Sequence, residues 1–444
     1  MDLEGFVRRR VIRGIDEAEI LSELERAVGE FKKWDIAKRK EFSQAVIDEV
    51  KMSEKCNSDP FLKLLLECPK AGVSMGDFGV GSRGEGDFFV HRNLSEIIKS
   101  DAVVDSSHQD DAGVVKGGGK YVTVSIDGMH SRLSEFPYLA GFHTARAALR
   151  DVLVMGSVPV ALISDLHLAD DGDVGKLFDF TSGVGTVSDL TSVPTVGGST
   201  LRIGGDMVFG NRLVAAVGAV GVSEKTPTAR KNAEVGDAIF MTEGAGGGTI
   251  STIAIYNGYF DVIKETLNVD FMHDSRKIHE GLLPKIHAMT DVTNGGLRGD
   301  AAEISKTAGK KLVFYEEMLE KTVNMRVLDM LQELKIDHLG ISTDSLMLIL
   351  PQKYATDVKK TLKNVYEVGR VEKGTGSKIL GRREKDFTPL FRESAYTKIK
   401  KVARERSPED IESIKENIIK AKEHSIRKKE QVKTGVHNHE KRNR

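Results

Sequence analysis

Residues 139–163 read LAGFHTARAALRDVLVMGSVPVALI, and this stretch decides the class of fold. From Leu139 to Met155, small and apolar residues recur at helical spacing, which predicts a helix. From Pro159 to Leu168, a continuous apolar run is typical of a buried strand. A helix that turns directly into a buried strand is the unit from which α/β proteins are built. The sequence therefore predicts an α/β fold.

The same helix carries an acidic residue on its small-residue stripe. Asp151 stacks above Ala147 and Ala148. A charge left unpaired there would cost several kcal/mol, so the carboxylate needs a partner. Two explanations remain open, which are a structural ion pair with Arg146 or Arg150 and a role in binding a ligand.

Four further aspartates stand in positions suited to a metal or a phosphate. Asp110 and Asp111 are adjacent in SHQDDAGVV, where two carboxylates repel and are neutralised best by a hard cation such as Mg²⁺. Asp127 ends the alternating strand YVTVSID, and Asp291 precedes a predicted helix start in TDVTNGGL. The alternatives are a surface turn for the first three and a helix cap for Asp291.

Two glycine-rich segments can present backbone N–H groups to phosphate oxygens. The first covers residues 79–86, which we expect to form a mobile loop before a short helix at Leu94. The second is the predicted turn GGST at residues 197–200. Neither matches a P-loop or a dinucleotide-binding fingerprint, so an ordinary loop is the alternative for each.

Composition excludes several classes of protein. The 444 residues include 65 Lys and Arg against 66 Asp and Glu, so the chain has no general attraction for nucleic acid or anionic membranes. Its two cysteines, Cys56 and Cys68, form neither a disulfide framework nor a metal-binding pair. The sequence shows no signal peptide and no run of about 18 apolar residues. We therefore expect a cytoplasmic protein without nucleic-acid or membrane partners.

Changes in composition along the chain suggest its domain boundaries. The pattern is helical and charged up to about Lys70, and a second α/β unit begins between Ser223 and Ala233. Ser407 is a predicted helix N-cap in the charged C-terminal region, and residues from Thr434 onward are expected to be disordered. We predict a helical extension over 1–70, α/β domains over 71–225 and 226–385, and a charged helical tail over 386–444.

Taken in order, six motifs resemble those of the aminoimidazole ribonucleotide (AIR) synthase superfamily, which includes thiamine-monophosphate kinase, selenophosphate synthetase and HypE. They are GSRGEGD, DDAG, IDGMHS, RDVLVMGSVPVALI, GGST and TDVTNGGL, and they lie between about residues 76 and 380. The resemblance implies a PurM-like fold of two α/β domains that face each other across an ATP cleft. It also implies a homodimer formed by the N-terminal domain.

The resemblance further implies a set of site residues. Asp127 and Asp151 would be catalytic, and the Mg²⁺ ligands would be Asp110, Asp111, Asp127, Asp151 and Asp291. The nucleotide phosphates would be contacted by Asp110, Asp111, Gly79, Gly81, Arg83, Gly84, Gly86, Gly197, Gly198 and Thr200. The first glycine-rich segment would then become ordered over the bound phosphates.

The implied function is Mg²⁺-dependent use of ATP to phosphorylate or activate an unidentified small molecule. Three departures argue against specific members of the superfamily. No cysteine lies in the first glycine-rich segment, unlike in selenophosphate synthetase, and none lies near Arg444, unlike in HypE. Ser199 follows Gly198 where thiamine-monophosphate kinase has an aspartate. A kinase of that last type and a non-catalytic nucleotide-binding partner remain the alternatives.

Overall fold

The computed structural model describes residues 1–55, 59–82, 84–293, 295–393, 395–403 and 410–442. Two β-sheets, each accompanied by helices, form the centre of the protein. The α/β class predicted from the sequence is confirmed. No helix in these ranges is long and apolar enough to cross a membrane.

The N-terminal extension contains a small helical bundle. Its helices are α1 (Leu3–Ile12), α2 (Glu17–Phe31) and α3 (Ile36–Glu54). Apolar residues on their inner faces, such as Leu24 and Ile47, form a separate buried cluster that also includes Phe209. The extension is therefore packed against the first α/β unit.

Three short helices connect the bundle to the first sheet: α4 (Pro60–Leu66), α5 (Met75–Phe78) and α6 (Glu85–Ser95). The sequence prediction of a loop before a helix at Leu94 is wrong, because α6 begins at Glu85 and already includes Gly86. Gly84 is its N-cap residue, and acidic residues in the first turn favour a helix start.

The first sheet has five strands in the order β1-β2-β5-β3-β4, and one of its faces is covered by two helices. The strands are β1 (Gly113–Gly117), β2 (Lys120–Gly128), β3 (Val158–Leu168), β4 (Thr195–Arg202) and β5 (Leu213–Ser223), and the helices are α7 (Pro137–Val154) and α8 (Gly175–Thr191). A Cβ on Gly141 would lie 2.1 Å from the carbonyl oxygen of Phe180, so glycine allows the two helices to pack closely.

The second sheet has seven strands in the order β12-β11-β8-β10-β6-β9-β7. These are β6 (Asp237–Thr242), β7 (Ala288–Asp291), β8 (Lys311–Tyr315), β9 (Leu346–Pro351), β10 (Val365–Glu372), β11 (Ser377–Leu380) and β12 (Glu384–Asp386). The accompanying helices are α9 (Gly248–Asn257), α10 (Ile263–Thr266), α11 (Asp270–Gly281), α12 (Gly296–Ala308), α13 (Glu316–Leu319), α14 (Met325–Glu333) and α15 (Ala355–Thr361).

The C-terminal region contains α16 (Lys398–Ala403) and the long helix α17 (Ile411–Arg442). The predicted cap Ser407 lies outside the described residues. The expectation of disorder from Thr434 is wrong up to Arg442, because α17 continues through this segment. Gly435 lets the helix approach the ring of Phe61, since a Cβ there would lie 3.1 Å from it, and this contact supports the final turns.

Candidate active site

A cleft of about 790 Å³ is lined by residues from both α/β units. Asp127 at the end of β2 and Asp151 near the end of α7 contribute to one wall. Asp344, which precedes β9, and Gly248 at the start of α9 contribute from the second unit. The folds of both units are therefore needed to form the site.

Three of the predicted aspartates come together as a group that can hold a metal ion. Asp111, Asp151 and Asp291 each offer a carboxylate oxygen, and these oxygens all lie within 4.8 Å of one another. Asp127 is hydrogen bonded to Asp151 and so belongs to the same cluster. Residues separated by up to 180 positions in the chain thus converge on one point.

The electrostatic environment of this cluster is strongly acidic. Burial raises the pKa of Asp151 well above its ordinary value, and the nearby charges of Asp127, Asp291 and Asp111 raise it further. Burial also raises the pKa of Asp111, although Arg230 opposes the shift. Without a cation, the raised pKa values of Asp111 and Asp151 therefore favour their protonated, neutral forms.

Arg150 orients Asp291 of the cluster and the neighbouring Asp344. Its Nε donates to Asp291 Oδ2 at 2.7 Å, and its Nη1 donates to Asp344 Oδ2 at 2.8 Å. Burial alone would lower the pKa of Arg150, but Asp344 and Asp291 outweigh it and raise the pKa. Asp151 is absent from the ion pairs of Arg150 and Arg146 within the described chain. The structural ion pair considered for Asp151 is therefore not formed.

Arg230 positions the adjacent pair Asp110 and Asp111. Its backbone N–H donates to Asp110 Oδ2 at 2.9 Å, and its Nη2 donates to Asp111 Oδ1 at 2.5 Å. The guanidinium also donates to Glu303 at 2.7 Å. Only 4% of the Asp111 side chain is exposed, so Asp111 belongs to a buried ionic network and not to a surface turn.

Asp291 is also not the helix cap that was considered for it. It is the last residue of β7 and is fully buried, whereas the N-cap residue of α12 is Gly295. Among the described residues, Asp291 Oδ1 and Asp111 Oδ2 have no hydrogen-bond partner. Buried carboxylate oxygens of this kind require an explanation, and a bound cation supplies one.

The first glycine-rich segment contributes to the cleft through Gly81. Gly79 is the C-cap of α5, and Gly81 donates its N–H to Asp87 at 3.0 Å. A Cβ on Gly84 would lie 2.5 Å from the carbonyl oxygens of Leu390 and Phe391, so this glycine allows close packing of the chain.

Gly86 also contacts this part of the chain, since its N–H donates to the Phe391 carbonyl at 3.3 Å. Arg83 lies outside the described residues. The expectation that Gly84 and Gly86 sit in an open loop is therefore wrong, whereas their contact with phosphates stays a prediction.

The second glycine-rich segment is not a turn. Gly197, Gly198 and Thr200 lie within β4, where they pair in parallel with residues 163–166 of β3. All of β4 is exposed, and none of these three residues is among those that line the cleft. The small residues were taken for a turn signal, whereas they form an exposed edge strand. Their contact with nucleotide stays a prediction.

Several important residues were missed from the sequence. Arg230 had no recognisable motif, and Arg150, the first residue of RDVLVMGSVPVALI, was considered only as a partner of Asp151, because the roles of both depend on partners more than 60 positions away. Asp344 lies in ISTDSL with φ of 60°, an unusual backbone conformation that a single sequence does not reveal. His130, Tyr396 and Lys400 also line the cleft. Of these, His130 stood in the quoted motif IDGMHS and was open to detection.

Comparisons with known proteins agree with this architecture. Residues 109–223 match the family model described as AIR synthase related protein, N-terminal domain, and residues 234–381 match that described as AIR synthase related protein, C-terminal domain. An uncharacterized protein of Methanocaldococcus jannaschii is 57% identical over 97% of both chains. These matches cover both sheets and all five clustered or adjacent aspartates.

More distant relatives have described functions. A selenide, water dikinase of Aeromonas hydrophila is 27% identical over 47% of this chain, and the match spans 59% of that relative's length. The crystal structure of the hydrogenase maturation protein HypE in complex with ATP has a TM-score of 0.52 and 17% identity, and it covers 71% of this chain and 93% of that one. The predicted PurM-like two-domain fold is confirmed.

Proposed function

Because the chain belongs to the AIR synthase related protein family, we propose that it is a Mg²⁺-dependent enzyme that uses ATP to phosphorylate or activate a small molecule. One observation carries the proposal: the carboxylate oxygens of Asp111, Asp151 and Asp291 lie within 4.8 Å of one another inside the cleft. The use of ATP is supported by the similarity to a selenide, water dikinase and by the fold shared with HypE, whose structure was determined in complex with ATP.

The residues present fit a Mg²⁺ ion. Mg²⁺ prefers oxygen ligands, and it commonly takes one or two carboxylates together with the phosphates of a nucleotide. The cluster offers three carboxylates and includes two buried oxygens without hydrogen-bond partners in the described chain. A bound Mg²⁺ would neutralise charge on the phosphates and on the transferring phosphoryl group.

The surrounding residues have distinct tasks in this proposal. Arg150 and Arg230 fix the orientation of Asp291 and Asp111, so that these carboxylates do not need to reorganise when a metal binds. Asp127 and Asp151 face the cleft at the point where the two α/β units meet. Together with Asp111 and Asp291 they would hold the metal, and the metal would supply positive charge to the phosphates.

The test is calorimetric titration of the full chain with ATP, with and without Mg²⁺, followed by measurement of ADP release with a panel of small-molecule acceptors. We expect binding that requires Mg²⁺ and ADP release with at least one acceptor class. Tight binding without turnover for any acceptor would favour a regulatory nucleotide-binding partner. Equal affinity with and without Mg²⁺ would contradict the proposed metal site.

We also propose that the protein is a homodimer that pairs through the first sheet. The face of this sheet opposite α7 and α8 exposes several large apolar side chains, which are 42–71% exposed. They are Val124, Ile126, Val160, Ile163, Val196, Leu201 and Val214. A contiguous apolar face of this kind marks an interaction surface.

Light scattering tests the dimer. We expect the wild-type chain to be dimeric and Val196→Glu to be monomeric, because a charge would have to be buried in the interface. Val235→Glu is the matched control, since Val235 is 55% exposed but lies outside the sheet. A monomeric wild-type chain across micromolar concentrations would remove this proposal.

A further inference from the structure

A segment beyond the second sheet also contributes side chains to the cleft. We call residues 387–393 and 395–403 the C-terminal strap. Its residues Tyr396 and Lys400 line the cleft, although they lie beyond residue 381, where the family match ends. The strap therefore adds two side chains to the cleft that lie outside the part of the chain matched by the family model.

The strap is fixed at several points before it reaches the cleft. The Leu390 carbonyl accepts a hydrogen bond from the N–H of Glu85 at 3.0 Å, and the Phe391 ring packs edge-on against Phe78 at 5.4 Å. Glu393 accepts a hydrogen bond from Arg298 at 3.1 Å and is 2% exposed. These contacts hold the strap up to Glu393 against α5, α6 and α12.

A chain of hydrogen bonds then orients Tyr396 and Lys400. Lys400 Nζ donates to Tyr396 Oη at 2.8 Å, and Tyr396 Oη lies 2.5 Å from His130 Nε2. His130 Nδ1 lies 3.0 Å from Thr252 Oγ1. Burial lowers the pKa of His130 to about 3, helped by the charges of Lys400 and Arg132, so the ring is neutral. Tyr396 therefore donates to Nε2, and Nδ1–H donates to Thr252.

This arrangement holds an ammonium group at the cleft, and Arg132 adds a guanidinium to the same lining. The aspartate cluster lines the cleft as well, so the cavity contains an acidic part suited to a metal and a basic part suited to an anion. Oriented Lys and Arg side chains bind phosphate and carboxylate groups by charge-assisted hydrogen bonds. The two parts thus match two different ligand groups.

We propose that Lys400, oriented by Tyr396, binds an anionic group, phosphate or carboxylate, of the acceptor molecule and so determines which acceptors the enzyme takes. This inference rests on the proposed function, because it assigns the acceptor to the cleft that binds Mg²⁺ and ATP. Tyr396 is a positioning residue, whereas Lys400 contacts the acceptor directly.

The test uses the full chain saturated with Mg²⁺ and the non-hydrolysable analogue AMP-PNP, into which inorganic phosphate is titrated by calorimetry. We expect Lys400→Gln to weaken phosphate binding by about tenfold, the effect of losing one charge-assisted hydrogen bond. Lys400→Arg should restore most of the affinity, and Tyr396→Phe should weaken binding less than Lys400→Gln. The matched control is Lys398→Gln, which changes an exposed lysine on the same helix and should have no effect.

Acetate is also titrated in competition with phosphate. The anion that binds with the higher affinity identifies whether the site prefers a phosphate or a carboxylate group. AMP-PNP affinity should stay within twofold in all variants. The inference is overturned if wild-type protein binds neither anion, if Lys400→Gln binds them like wild type, or if Lys400→Gln weakens AMP-PNP instead.

Two separate titrations distinguish this inference from the proposed function. One titrates Mg²⁺ and AMP-PNP into the protein, and the other titrates phosphate into the nucleotide-free protein. If Mg²⁺ and AMP-PNP fail to bind while phosphate binding still depends on Lys400, the proposed function fails and the anion site stands. If the nucleotide binds normally and phosphate binding does not depend on Lys400, only the anion site fails.

Discussion

Asp344 and Asp151 are both buried carboxylates beside the same cleft, yet their surroundings are opposite. Asp344 lies 2.8 Å from Arg150 and 3.6 Å from Arg146. Burial would raise the pKa of Asp344, but the two guanidinium groups outweigh it and lower the pKa. Around Asp151, burial and three neighbouring carboxylates all raise the pKa. Asp344 is thus neutralised by the protein, whereas Asp151 is left for a ligand to neutralise.

The largest effect should follow from removing Arg150, whose guanidinium group neutralises Asp344. Arg150→Met leaves Asp291 and Asp344 buried without their main partner, which costs about 3–5 kcal/mol when a buried pair is broken. We expect a loss of this size in the free energy of unfolding measured with denaturant.

Arg326→Met is the matched control for that measurement. Arg326 pairs with Glu265 but its side chain is 66% exposed, so its loss should cost at most about 1 kcal/mol. An Arg150→Met variant as stable as the control would mean that Asp291 and Asp344 are neutralised by something other than Arg150.

The next prediction compares the two aspartates directly. Because the raised pKa of Asp151 favours its neutral form without metal, Asp151→Asn should leave the free energy of unfolding within about 0.5 kcal/mol of wild type. Asp344→Asn should destabilise the protein by about 2 kcal/mol or more, since it removes the partner of two buried guanidinium groups.

Binding should show the reverse order of effects. Asp151→Asn and Asp127→Asn each remove a charge next to the proposed metal and should weaken Mg²⁺-dependent ATP binding by at least about tenfold. Asp261→Asn, at a side chain that is 87% exposed, should bind like wild type. Wild-type affinity in both site variants would refute the metal assignment, and unfolding of Asp151→Asn would indicate a structural role instead.

A smaller effect concerns the pH dependence of the unfolding free energy, through His143 near Asp344. His143 lies beside Arg146, and burial together with that charge lowers its pKa from 6.5 to about 3. The unfolded chain therefore binds the proton more readily, so this contribution to stability is present above pH 6.5 and is lost as the pH falls towards 3.

His143→Gln should remove that contribution. We expect the pH dependence of the unfolding free energy between pH 6 and 4 to become shallower by about 1.4 kcal/mol per pH unit. His91→Gln, at a side chain that is 43% exposed, serves as the control. An unchanged slope in the His143 variant would show that the ring is not held neutral.

Much of the architecture followed from local pattern. The helix and strand around Asp151 agree with the structure to within two residues at each end, because strong periodicity and buried runs are local properties. The convergence of Asp111, Asp151 and Asp291 followed from the order of motifs. The neutralising roles of Arg150 and Arg230 did not, since they depend on partners that only the folded chain brings together.

The two glycine-rich segments show where local pattern misleads. Glycines at 84 and 86 were taken for a loop, whereas they allow a helix to pack against the C-terminal strap. Gly197 and Gly198 were taken for a turn, whereas they belong to an edge strand. At Gly84 and Gly198 the missing side chain allows the close approach of another backbone, which a single sequence does not distinguish from a turn.

The most direct test of the central claim is the anomalous diffraction of Mn²⁺ in crystals of the full chain grown with AMP-PNP. We predict a peak at a coordination distance of about 2.1 Å from carboxylate oxygens of Asp111, Asp151 and Asp291, bridged to the nucleotide phosphates. A bound nucleotide whose Mn²⁺ contacts none of these three carboxylates would contradict the account.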